Sequence, residues 1–279
     1  MITESEKSFI RTHAYVPEHI VEYGEAISGG EPYLFDNFLC YVRGSTLIVV
    51  GYPLKEVFIK RKVQKIIDSM IKRFKAQRLA VIAPEDVVYG RKWIEHNSDH
   101  YYRYELVEGR IPSKVRNMIN RSHKELIVSE CKELTDEHRE LIRAFLESHR
   151  LQEDVKYIYK RIPFYLAHSS SAIILNARNK EGVLIAFDIV DCGSQDYVFY
   201  MFNVTNEKHR IPGSSDLLLY TIVQRAKRDG YRFVNLGLGI NRGVTFFKEK
   251  WGGEPFLTYE YYLYNLTQEA PLLDLLQKL

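Results

Sequence analysis

The stretch over residues 197–253 constrains this chain most. An apolar run at 197–204 precedes Arg210-Ile211-Pro212-Gly213-Ser214-Ser215. A helix-patterned segment follows at 216–229, then a second apolar run at 231–239 and a motif holding Phe246, Phe247, Lys248, Trp251, Gly252 and Gly253. Strand, small-residue turn and helix start in that order leave backbone N–H groups free beside the positive end of the helix dipole, which makes an anion site. A phosphate is the expected anion. Gly213 permits a close backbone approach, Ser215 or Asp216 supplies a helix cap, and Arg210 adds charge. Pro212 contributes no N–H donor, and a plain strand–helix connection is the competing reading.

At 279 residues the chain has room for one large domain or two smaller ones. Hydrophobic residues at 46% and charged residues at 27% match an ordinary globular protein and exclude disordered or fibrous classes. The 20 Tyr and 14 Phe fall largely in short runs bounded by Gly or charged residues, which favours strands and a sheet-rich α/β fold. Cys40, Cys131 and Cys192 are too few and scattered for a disulfide framework or a zinc site, and no metal is expected. With no leader-like start and no run of 18 apolar residues, a cytoplasmic protein without a transmembrane segment is expected.

The net charge of +3 is unevenly spread. Residues 1–54 carry 3 Lys/Arg against 7 Asp/Glu, whereas residues 55–124 carry 17 against 8. The basic stretch 55–124 is either a face for RNA, tRNA included, or anionic headgroups, or a solvated helix surface.

Apolar residues at Val63, Ile66, Ile67, Met70, Ile71 and Phe74 predict an amphipathic helix within 55–75. Strands are expected at 37–43, 45–51 and 78–83, with a tight turn at Arg43-Gly44. The second half repeats the order, with strands at 171–176, 183–190 and 197–204, a helix at 215–229 and a strand at 231–236. Helical patterns at 113–124 and 136–150 lie between the halves, and a short helix-like tail follows Pro271. Two α/β halves, 1–135 and 136–279, are the simplest organisation.

Taken together, Arg210-x-x-Gly213-x-Ser215 resembles the acyl-CoA loop of the GNAT N-acyltransferases, with Ser215 replacing the usual Gly or Ala. The pattern Ala226-Lys227, Gly230-Tyr231, Phe233-Val234-Asn235-Leu236-Gly237, then Phe247-Lys248 with Trp251-Gly252, is similar to the lysylphosphatidylglycerol synthase catalytic domain and to Fem-type peptidoglycan aminoacyltransferases. Lys114, Arg116, Asn117, Ile119 and Arg121 resemble a segment those enzymes carry between their two halves. The resemblance implies a tandem GNAT fold with two mixed sheets flanked by helices, and acyl transfer to a small-molecule or peptide amine. The donor it implies is acyl-CoA, slightly preferred, or aminoacyl-tRNA. It also implies that Arg210, Ile211, Gly213, Ser214 and Ser215 face the donor's pyrophosphate if the donor is acyl-CoA. Asn235 matches a polar residue near the pantetheine and the incoming amine, and Lys248 a lysine close to the reacting ester.

Each candidate has a plainer alternative: Asn235 a satisfied strand-end amide, Lys248 a surface lysine on a helix. Asp188 interrupts the apolar run 183–190, where a raised pKa would suit proton acceptance, or else faces solvent on the alternate side of the strand. Tyr259, with Glu260 and Tyr261, is a further candidate for proton transfer. His13, His96, His100 and His123 read as surface histidines. The chain has no Gly-x-Ser-x-Gly elbow, Walker loop or His-Glu-x-x-His, so hydrolase, kinase and metalloprotease chemistry lacks residues to carry it. An inert member binding RNA or a nucleotide-like ligand is the reading from another class.

Overall fold

A computed structural model describes residues 2–88, 90–106, 110–149 and 151–267. The tail helix expected after Pro271 lies outside the described residues. In chain order come α1 (Glu4–His13) and α2 (Val21–Ser28), then β1 (Glu31–Phe35), β2 (Phe38–Arg43), β3 (Thr46–Val50), α3 (Lys60–Phe74) and β4 (Arg78–Ala83). The middle holds β5 (Trp93–Glu105), α4 (Ser113–Ser122), β6 (Leu126–Cys131), α5 (Asp136–Ser148) and α6 (Glu153–His168). The chain closes with β7 (Ala172–Asn179), β8 (Leu184–Asp191), β9 (Tyr197–Thr205), α7 (Ser214–Arg228), β10 (Phe233–Leu238), α8 (Arg242–Lys250) and β11 (Glu254–Asn265).

These elements form two compact units. One holds Gly30–Ser98 and the chain from Thr258; the other holds Thr3–Gly29 and Asp99–Leu257. The boundary expected between 135 and 136 falls inside the second unit, which holds α1, α2 and the elements from α4 to α8. Two separate sheets are likewise not found. The eleven strands follow one hydrogen-bonded order, β1-β2-β3-β4-β11-β5-β10-β9-β8-β7-β6. β5 and β11 have 13 and 12 residues.

In the first unit β1, β2 and β3 form an antiparallel meander, and Gly44 takes φ +57° in the turn that joins β2 to β3. The crossover helix α3 then leads to β4, parallel to β3. Val63, Ile67 and Met70 bury the apolar stripe of α3 against Leu47, Val49, Leu79 and Val81. The helix starts at Lys60, after Val57 and Ile59, which stand in solvent.

In the second unit the strands are covered on both faces, which the uninterrupted burial of all eight β8 residues reflects. One face carries α4 and α7, with Val115, Ile119, Leu217, Leu218 and Val223 packed on Leu175, Ala186 and Val190. The other carries α2, α5 and α6, with Leu141, Ile162 and Tyr165 packed on Ile174, Phe187 and Phe199. Between β9 and β10 the crossover through α7 makes the two strands parallel neighbours.

Candidate functional site

The second unit contains an opening between two parallel strands. β10 pairs with β9 over three positions only, Phe233 with Tyr197, Val234 with Val198 and Asn235 with Phe199, although β9 runs to Thr205 and β10 to Leu238. The ladder ends where β10 is irregular on its other side, against β5, between Asn235 and Gly237. Asn235 sets this break. Its Oδ1 accepts from the Gly237 N–H at 2.8 Å, its Nδ2 donates to the Tyr15 carbonyl at 2.8 Å, and Gly237 takes φ +74°. With both polar ends committed, Asn235 shapes the opening as a strand-end amide. Ligands of open α/β sheets gather at such carboxyl ends of diverging strands.

Lys248 occupies this opening. α8 is capped by Asn241, whose side chain accepts from the Gly243 and Val244 amides, and it turns Lys248 inward, leaving it 3% exposed. Its Nζ donates to the Leu238 carbonyl and lies 5.8 Å from the centre of the Tyr102 ring. A side chain on Gly237 would place Cβ 3.7 Å from Nζ and 3.9 Å from the Tyr200 carbonyl, so the ammonium sits beside both diverging strands. Burial pulls its pKa from 10.5 to about 7, with Asp99 opposing the shift. The surface-lysine alternative is therefore wrong: the Phe247-Lys248 spacing hides which face α8 turns inward. Asp99, with no sequence signal of its own, accepts from the Gly239 and Ile240 amides at 3.2 and 2.7 Å and so holds the turn between β10 and α8.

The loop before α7 differs from the expectation in its capping. Neither Ser215 nor Asp216 caps the helix, which begins at Gly213 (φ +86°) with no side-chain cap. Ser215 donates instead to the Asn203 Oδ1 at 3.2 Å. Asp216, nearly fully buried, accepts from Trp251 Nε1 at 2.8 Å and pairs with the Lys250 ammonium at 2.7 Å, tying the first turn of α7 to the end of α8. Pro212 has no N–H, and the Ser214 amide is taken by the Ile211 carbonyl at 3.2 Å, which thins the donors available to a pyrophosphate. Arg210 is exposed and Ile211 half-buried.

Gly213 answers to a neighbour the sequence does not reveal. A Cβ there would stand 3.1 Å from the Met118 carbonyl and 3.3 Å from Ser122 Cβ and Oγ, so α4 lies directly on the loop. Two of the segments that carry the resemblance, 114–121 and the loop at 210–215, thereby adjoin, and the exposed Lys114, Arg116 and Arg121 form no ion pair among the described residues. Gly213→Val combines a positive φ with this clash. It should destabilise the protein by about 2–4 kcal/mol, as thermal unfolding would check.

Asp188 is fully buried, since both faces of β8 are covered and strict alternation does not apply. Asn203 Nδ2 donates to its Oδ1 at 2.6 Å, while Oδ2 is without a hydrogen-bond partner among the described residues. Burial raises its pKa well above 3.8, and it also helps to raise that of the Tyr200 hydroxyl. The chain Asp188–Asn203–Ser215 runs from the sheet to the first turn of α7. Tyr259 lies apart from these residues in sequence and belongs to the first unit, as does Glu260, which accepts from Ser98 at 2.8 Å and meets His96 Nε2 at 2.6 Å. Among the described residues no group of three or more His, Cys, Asp or Glu could hold a metal ion, and no helix is long and apolar enough to cross a membrane.

No protein-family model matches the chain, and no curated protein matches it in sequence. Solved structures do. L-PGS from Bacillus licheniformis superposes with a TM-score of 0.59 at 15% identity, over 99% of this chain and 96% of its own. FemX superposes at 0.64 and 11% identity, over 99% of both chains. A tandem GNAT protein from the clavulanic acid biosynthesis pathway superposes at 0.53 and 13% identity, over 83% of this chain and 79% of its own. The chain thus shares its fold with L-PGS, FemX and the tandem GNAT protein.

Proposed function

We propose that this protein is an N-acyltransferase that moves an activated acyl group onto an amine. One observation carries the reading: the β9–β10 ladder ends at Asn235, and a buried lysine ammonium is held in the opening. An uncharged amine attacks the acyl carbonyl carbon there, and the oxyanion forms within reach of Lys248 Nζ, which stabilises it in a water-poor setting. The bond to the leaving oxygen or sulfur then breaks, and the leaving group takes the proton that the amine loses. Asp188, whose pKa burial raises, holds Asn203 and through it Ser215 in place at the start of α7. Positioning and charge stabilisation supply the rate, with no dedicated base required.

For the donor, local geometry favours aminoacyl-tRNA. The α7 loop offers few free amides, whereas α4, which touches it through Met118 and Ser122, also carries Lys114, Arg116 and Arg121, exposed and without an ion pair among the described residues, as a phosphate backbone requires. Acyl-CoA is the second reading, supported by Arg210, Gly213, Ser214 and Ser215 standing at the expected strand–helix junction. Titration with aminoacyl-tRNA, CoA and acetyl-CoA at two salt concentrations separates the two. Aminoacyl-tRNA binding should fall steeply with salt, and Arg116→Glu/Arg121→Glu should weaken it by about tenfold or more and flatten the salt slope. Salt-insensitive micromolar CoA binding, indifferent to that double variant, would instead establish the CoA donor.

A further inference from the structure

We propose that the cleft between α5 and the end of β9 anchors the acceptor, and that the group it holds is an aliphatic ammonium. This rests on the acyl-transfer reading and names the chemical class of its acceptor. The cleft has a volume of about 370 Å³ and lies wholly in the second unit. One wall is a stripe of α5 that presents Glu140, Leu141, Ala144 and Phe145 at helical spacing; the other is the start of β8 and the segment 205–209. Leu141, Ala144, Phe145 and Leu184 make an apolar floor suited to methylene groups.

Its charge comes from carboxylates with little to neutralise them. Glu137 is spent, since Arg178 grips it through two nitrogens at 3.0 and 2.6 Å and the Leu184 amide donates to it at 3.1 Å. Glu140 has no ion-pair partner among the described residues, and Glu207 accepts only a long contact from the Thr205 hydroxyl at 3.4 Å. Lys208 is the sole lysine or arginine on the lining, against these two free carboxylates. Both belong to the lining that also holds the apolar floor, which joins sites for methylene groups and for a cation in one cleft.

The cleft also has a place in the reaction. Asn206 Oδ1 accepts from the Lys208 and His209 amides at 3.1 and 3.2 Å, fixing the wall segment, and the next residues are the donor loop itself, Arg210 to Gly213. A ligand in the cleft therefore lies against the segment that presents the donor. The anchored nitrogen stays protonated between carboxylates and cannot attack a carbonyl. The acceptor accordingly carries a second amine, free to be acylated, as a diamine or a peptide with a basic side chain does.

Calorimetric titration of the full chain with cadaverine and spermidine, without donor, tests this, with n-pentanol and glutarate as controls for the apolar and acidic alternatives. The diamines should bind and the controls should not. Glu140→Gln/Glu207→Gln should weaken diamine binding at least tenfold, Ala144→Trp should block it, and neither should change affinity for aminoacyl-tRNA or CoA. Donor binding without diamine binding, or diamine binding indifferent to both variants, would overturn the proposal and leave the acyl-transfer reading standing. Diamine binding that obeys the variants in a protein that binds no donor would support the cleft as an amine site and sink the transferase reading instead.

Discussion

Lys248→Met is expected to make the protein more stable and nearly inactive at once. Burial lowers the lysine pKa from 10.5 to about 7, so between those values the folded chain binds fewer protons than the unfolded one. Stability contributed at this site is therefore lost as pH falls from about 10.5 to about 7 and changes no further below that. At about 1.4 kcal/mol per pH unit the window is worth roughly 5 kcal/mol. Methionine fills similar volume without charge but leaves the Leu238 carbonyl unpaired, at about 1–3 kcal/mol. The net gain should be roughly 2–4 kcal/mol at pH 6 and should shrink as the pH approaches 10. Turnover should fall by about 10²–10³, the usual loss of one donor to an oxyanion. Urea unfolding at pH 6 and 9, with single-turnover acyl transfer, reads both effects. A variant that is less stable at pH 6, or that keeps full turnover, would remove Lys248 from the site; a binding-only protein would show the gain in stability with ligand affinity untouched.

The second large effect is at Asp216. Its carboxylate is nearly fully buried and holds the Trp251 indole N–H at 2.8 Å and the Lys250 ammonium at 2.7 Å. Asp216→Ala deprives both of their partner beside a core cluster in which Trp251 is itself fully buried. A loss of about 3–5 kcal/mol is expected, as for other buried pairs broken on one side. Asp216→Asn keeps an acceptor for the indole and gives up the charge pairing, so its cost should be clearly smaller. Because the pair fixes the start of α7 against the end of α8, turnover should drop in both variants at temperatures where each is fully folded. Denaturant unfolding of the pair of variants checks the ranking; equal costs for Ala and Asn would mean that the ion pair, and not the indole hydrogen bond, secures α7.

Much of the layout was legible because it is written in periodicity. The α3 stripe, the strands from β7 to β9 and the span of α7 all follow from apolar spacing, and their boundaries in the structure differ by a few residues. The Thr3-x-x-Glu6 capping box of α1 carries a readable signature, and its hydrogen bonds are present, yet an acidic, polar opening hides it. Helix α6 is masked by Pro163, which lies inside it. Strand β5 has no clean alternation over its exposed first half, so its length was not visible, and with it the continuity of the strand order.

The sequence by itself determined the local parts: a strand, a glycine turn and a helix at 197–228, a lysine nine residues after an apolar run, and an acidic residue inside an apolar run. Only the tertiary structure decided what those residues are. It buried Lys248 between diverging strands and so shifted its proton equilibrium, closed β8 on both faces and so raised the Asp188 pKa, and pressed α4 onto Gly213 so that two distant motifs share one surface. Secondary structure is set by neighbours along the chain, whereas burial, desolvation and the ending of a strand ladder are set by what other segments bring, and no spacing rule carries that information.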